Sequence, residues 1–91
     1  MSGIRAPAGG FGAPVKRSVT IAGHPTSLKL EPVFWRALER AAAELQLPLN
    51  AVIAAIDGLR IRSADPPNLA SALRGWLLER EEARRDGSGS A

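Results

Sequence analysis

Side chains able to do covalent or acid–base chemistry are scarce in this chain. His24 is its one histidine and cysteine is absent, which removes disulfides, thiolate nucleophiles and cysteine-bound zinc and suits a reducing compartment. His24 has neither a carboxylate nor a second histidine close by, and Gly23 and Pro25 on either side mark it as a turn residue. Asp57 flanks an apolar helical stretch, where Arg60 or Arg36 is a ready ion-pair partner. No nucleophile–base pair, phosphate-binding loop or metal-ligand spacing occurs, so no catalytic residue, metal or cofactor is assigned and an enzyme is not expected. Recognition chemistry remains. It is concentrated in Thr26-Ser27-Leu28-Lys29-Leu30, where polar and apolar side chains alternate as on a strand with one wet face.

The elements that position this run follow from periodicity. After Glu31-Pro32, a proline suited to a first helical turn, Phe34, Leu38, Ala41, Ala42 and Leu45 recur at helical spacing, giving a helix to about Gln46. Arg40 and Glu44 lie one turn apart on its polar side and form a candidate surface pair. Leu47-Pro48 restarts the chain, and Val52, Ile53, Ile56 and Leu59 form the apolar stripe of a second helix from about Leu49 to Leu59. Asp65-Pro66-Pro67 breaks the pattern. Asn68 then caps a third helix whose apolar face holds Leu69, Leu73, Trp76 and Leu77. Trp35 and Trp76 are read as packing residues.

Upstream, Val19 and Ile21 are apolar at odd positions, whereas Leu28 and Leu30 are apolar at even ones. An uninterrupted strand would send the two sets to opposite faces, so Ala22-Gly23-His24-Pro25 must reset the parity by a bulge or a turn. Whether residues 17–21 form a second strand or part of an arm stays open. The chain divides into a Gly/Pro/Ala-rich arm over residues 1–15, a core over 16–62, a helical extension over 63–86 and a Gly/Ser tail over 87–91. A lone strand over 26–30 cannot make a sheet, so its partner is expected from a second copy of the chain.

Bulk properties agree with that expectation. A chain of 91 residues is one small domain, and domains of that size bury only about 60% of their unfolded surface, so oligomerisation is a simple source of stability. The net charge is +3 with a pI near 10.6, and it is unevenly spread. Residues 16–62 carry seven Lys/Arg against four Asp/Glu, while residues 63–91 carry four against five. A symmetric dimer would double the central surplus to about +6, enough to attract a polyphosphate. No apolar run approaches the roughly 20 residues of a membrane span, and no apolar leader opens the chain. A soluble, cytoplasmic protein is expected.

Strand, helix, short turn and helix in succession resemble the ribbon-helix-helix family of the Arc and MetJ class. The likeness is carried by residues 26–60, with Lys16-Arg17-Ser18-Val19-Thr20-Ile21-Ala22-Gly23-His24, Thr26-Ser27 and the Asn68-Leu69 segment resembling a small bacterial subfamily. The resemblance implies a mostly α fold with a short β segment: an intertwined homodimer whose strands pair into an antiparallel two-stranded ribbon, with a third C-terminal helix added. It also implies double-stranded DNA as partner, the ribbon entering the major groove, and hence a nucleoid-associated bacterial transcriptional regulator. With Leu28 and Leu30 turned inward, Ser27 and Lys29 face the base edges and Pro25 lies at the ribbon's edge, where many relatives carry a polar or basic residue. The free amides of Leu49, Asn50 and Ala51 form an anion site that in this family clamps a phosphate. Lys16 and Arg17 are further candidate phosphate contacts. Relatives commonly place Gly-x-Ser before the second helix; Gln46-Leu47-Pro48 stands here instead.

A rival reading makes the fold a dimerisation device for a protein-binding adaptor or antitoxin, in which Leu69, Leu73, Trp76 and Leu77 grip a protein partner. Against it, the same face could cover the protein's own core.

Overall fold

The computed structural model describes residues 3–8 and 10–86 in full, together with the backbone of residues 87–90. Residues 1, 2, 9 and 91, which belong to the expected arm and tail, lie outside the described residues. Five elements follow in order: β1 (Val15–Ile21), β2 (His24–Leu30), α1 (Pro32–Leu45), α2 (Leu49–Ile61) and α3 (Leu69–Ser90).

The parity conflict is resolved by a turn. Ala22 and Gly23 both take positive φ, 52° and 82°, the backbone signature of the two-residue hairpin turns whose twist matches that of the flanking strands. β1 and β2 pair antiparallel, with Val19 opposite Thr26, Arg17 opposite Leu28 and Val15 opposite Leu30. This register puts odd residues of β1 on the same face as even residues of β2. Val19, Leu28 and Leu30 are all buried there. The expectation of a lone strand is therefore corrected: residues 26–30 find a partner within their own chain. The inference from a lone strand to a second copy falls with it.

The helices cover this apolar face, α2 packing against β1 and α3 against β2. Glu31 ends β2's exit in extended conformation, its carbonyl accepting from the amides of Phe34 and Trp35 at 2.9 and 3.1 Å. α1 buries Trp35, Leu38, Ala41 and Ala42. Its stripe thus runs through Trp35, with Phe34 half-buried and Leu45 exposed, one step around the helix from the expected Phe34–Leu45 line. The cause is β1: the Trp35 indole Nε1–H donates to the carbonyl of Val15 at 2.9 Å, satisfying the ring's donor as it is buried. Gln46 ends the helix in left-handed conformation with φ 58°. Glu44 pairs with Arg80 at 3.1 Å and Arg84 at 3.3 Å instead of with Arg40.

α3 belongs to the core. Leu73 is fully buried and Leu77 nearly so, alongside Val52, Ile53 and Ile56 of α2. Its start is capped as expected, with Asn68 Oδ1 accepting from the Ser71 amide at 2.8 Å. The Arg74 guanidinium grips Glu31 at 2.9 Å and lies over the Phe34 ring, while Arg80 lies over Trp76. The helical backbone continues to Ser90, through residues expected to form a tail.

Candidate nucleic-acid interface

The face of the hairpin turned away from the helices carries Lys16, Ser18 and Thr20 on β1 and Pro25, Ser27 and Lys29 on β2, all exposed. The register sets them side by side: Lys16 opposite Lys29, Ser18 opposite Ser27 and Thr20 opposite Pro25. A two-residue turn makes its flanking residues, Ile21 and His24, a hydrogen-bonded pair. Alternation then makes all three outer-face pairs non-hydrogen-bonded ones, in which Cα atoms approach to about 4.5 Å. Pro25 consequently sits where its nitrogen points away from β1, so its missing N–H costs the ladder nothing.

Neither strand contains an aspartate or glutamate. The outer face therefore joins two ammonium groups and three hydroxyls with no acidic side chain between them. Packing gives no reason for this arrangement, since like charges directly opposite one another destabilise a ladder.

The structure brings the expected base-contact residues Pro25, Ser27 and Lys29 onto one surface and adds Lys16 to it. Ser18 and Thr20 join them although the sequence reading left both out. The signal was present in the parity break: a two-residue turn at Ala22-Gly23 forces Ser18 beside Ser27 and Lys16 beside Lys29.

Arg17 goes elsewhere. It lies on the helix-facing side of β1, its guanidinium 4.4 Å from the Trp35 ring centroid and its Nη1 3.1 Å from Glu39 Oε2. With the Trp35–Val15 hydrogen bond, this contact ties β1 to α1. The start of α2 is a separate feature. Ala51 N–H, expected to face an anion, is 3.0 Å from the Pro48 carbonyl that also accepts from Val52 at 3.2 Å. Leu49 and Asn50, as the first two helical residues, have no intrahelical acceptor, and Pro48 supplies no side-chain cap. Asn50 is exposed and Leu49 half-buried.

His24 stands exposed beside the turn opposite Ile21. Asp57 accepts from Arg60 Nε at 2.8 Å, and Arg60 also donates to the Pro67 carbonyl at 3.1 Å, tying the end of α2 to the loop before α3. No helix among the described residues is long and apolar enough to cross a membrane.

A two-stranded antiparallel ribbon followed by paired helices is the arrangement of a ribbon-helix-helix protein. The ribbon-helix-helix domain family matches residues 14–80, and the chain belongs to that family. Its members are generally DNA-binding regulators or antitoxins, bind DNA as dimers and are typically non-enzymatic. No curated protein and no solved structure matches the chain.

Proposed function

We propose that this protein is a homodimeric DNA-binding transcriptional regulator that presents the outer face of its hairpin to the major groove. The observation that carries the reading is the acid-free outer face, with Lys16 directly opposite Lys29 and Ser18 opposite Ser27. A face that is basic, free of acidic side chains and complementary to phosphate and base edges is suited to nucleic acid. Lys29 donates to guanine O6 and N7, Ser27 supplies a less discriminating hydroxyl, and Pro25 contributes only apolar contact. The Leu49 and Asn50 amides would hold a backbone phosphate at the head of α2. Arg17 is left out of the set because its guanidinium is engaged by Trp35 and Glu39.

Two features support a second copy as partner. The outer edges of β1 and β2 both carry no partner strand among the described residues. α2 has just two charged residues, Asp57 and Arg60, and they bond to each other, while Ala55, Leu59 and Ile61 on its outside are exposed. A helix apolar on nearly every side is ordinarily buried. The rival reading through Leu69, Leu73, Trp76 and Leu77 is disfavoured, because Leu73 and Leu77 lie in the chain's own core and Arg80 covers Trp76.

The test is selection of bound fragments from random duplex at two salt concentrations, with the oligomeric state followed by sedimentation. A dimer that recovers inverted half-sites, and whose preference is abolished by Lys29→Ala, fits the proposal. A monomer, or preference unchanged by that substitution, defeats it.

A further inference from the structure

The hairpin alters the reading head that a dimer would present. A lone strand from each copy makes a two-stranded ribbon. Here each copy already holds two strands, so pairing through the free edge of β2 gives a four-stranded sheet in the order β1, β2, β2 of the second copy, β1 of the second copy. Pro25 faces that edge without an N–H, so the ladder between copies runs through Ser27 and Lys29, whose backbone groups also point to it. Strands lie about 4.8 Å apart. Each β2 then lies about 2.4 Å from the dyad and each β1 about 7 Å from it. The major groove is about 12 Å wide, so its walls stand about 6 Å from the same axis. The central strands fit inside the groove, and the outer strands sit over its rims.

Resting on the dimeric DNA-binding reading, we infer that the two strands divide the work: β2 reads base edges, and Lys16, Ser18 and Thr20 of β1 hold the sugar–phosphate backbone on either side. The side chains match the positions. An ammonium and two hydroxyls are donors that phosphate oxygens accept without regard to sequence. They occupy alternate positions of one strand and all face outward. Lys16 and Lys29 form one rung at the open end of the hairpin, whereas Thr20 and Pro25 at the turn end are uncharged. The dyad places the two basic rungs at opposite ends of the sheet, each running from a base-reading lysine to a rim lysine. That spacing also gives the Lys16–Lys29 pair a use, since the two ammonium groups have different targets.

The experiment compares wild type, Lys16→Ala, Lys16→Arg and Lys29→Ala on the selected duplex and on random duplex across a salt series, with thermal melts confirming that every variant is folded. Lys16→Ala should weaken both duplexes by the same factor and lower the slope of log K against log salt by about 1.8, for two lost phosphate contacts at about 0.9 each. Lys16→Arg should restore the slope. Lys29→Ala should act mainly on the ratio between the duplexes. A change in sequence preference on Lys16→Ala overturns the inference, because β1 would then lie inside the groove as one half of a single-hairpin ribbon. A Lys16→Ala slope equal to that of wild type also overturns it, because β1 would then lie off the DNA. Wild type that binds no duplex overturns the DNA-binding reading, wild type that binds as a monomer overturns the dimeric one, and either result takes this inference with it.

Discussion

Reversing the charge at position 16 should move folding and DNA binding in opposite directions. Lys16 and Lys29 face each other across a non-hydrogen-bonded pair, and their ammonium groups can splay to a separation of about 8 Å. At that distance two like charges in water repel by about 0.5 kcal/mol. A Debye length of about 8 Å at physiological ionic strength reduces this to about 0.2 kcal/mol. Lys16→Glu replaces the repulsion by an attraction of similar size, so the swing is about 0.4 kcal/mol at physiological salt and approaches about 1 kcal/mol in dilute buffer. Both residues are exposed, so little lost packing opposes the gain. Urea titrations at two ionic strengths read it as a midpoint that rises with the substitution, more at low salt, at constant slope. The same variant should lose duplex binding, because each protomer gives up one phosphate contact and presents a repelling carboxylate. A variant less stable than wild type would show that the Lys16 stem packs in a way the register does not require. Binding retained at wild-type strength would show that this face does not meet DNA.

Three other perturbations probe what holds the face in place. Trp35→Phe should cost about 1–2 kcal/mol in a denaturant titration, because it keeps a buried ring but removes the donor to the Val15 carbonyl and weakens the seat of Arg17. An unchanged midpoint would mean that this bond does not fasten β1. The Glu31 carboxylate is held below the usual carboxylate range, first by its own backbone N–H and then by Arg74. A lowered folded-state value gives stability that is present above the unfolded-state value and lost as pH falls through the folded one. Melts taken from about pH 6 down to about pH 3 should therefore show a loss that is smaller in Glu31→Gln; parallel curves for the two proteins would refute the coupling. Gly75 lies on the exposed side of α3, where an added Cβ meets nothing within 4 Å. Gly75→Ala should stabilise by about 0.5–1 kcal/mol through helix propensity alone, and a lower melting temperature would show that something else occupies that side of the helix.

Much of the fold was legible because its signals are local. The two periodicities, the prolines at the helix starts and Asn68 before α3 placed the elements within a few residues of where they stand. What failed required contacts distant in sequence. Whether the stripe of α1 ran through Phe34 or Trp35 was decided by the Val15 carbonyl, 20 residues away. Glu44 had Arg40 one turn off, yet α3 supplies Arg80 and Arg84 from across the core. Ala22 was the least visible signal. A hairpin turn of this kind ordinarily advertises itself by Asn-Gly or Asp-Gly, and alanine at positive φ gives no such notice, so β1 stayed undecided between strand and arm. For the candidate face, Ser27 and Lys29 could be read from alternation alone. Ser18, Thr20 and the true neighbour of Lys16 depended on the register that this turn sets.

Two local rules are broken in the single chain, and each break is informative because the rest of the molecule obeys them. No polar or charged residue is buried among the described residues, the Trp35 indole has its acceptor, and α1 and α3 set their charges toward solvent. Against that background a like-charged rung and a helix with an exposed uncharged flank stand out. Sequences that specify one structure are consistent across levels, and departures tend to mark places where something other than folding is served. The rung lacks anions, and the flank of α2 lacks apolar cover. On the proposed function, a polyphosphate would supply the first and a second copy of the chain the second. Neither feature explains the other, so the two can fail independently: a stable dimer indifferent to duplex would remove the role of Lys16 and Lys29, and a DNA-binding monomer would remove that of Leu59 and Ile61.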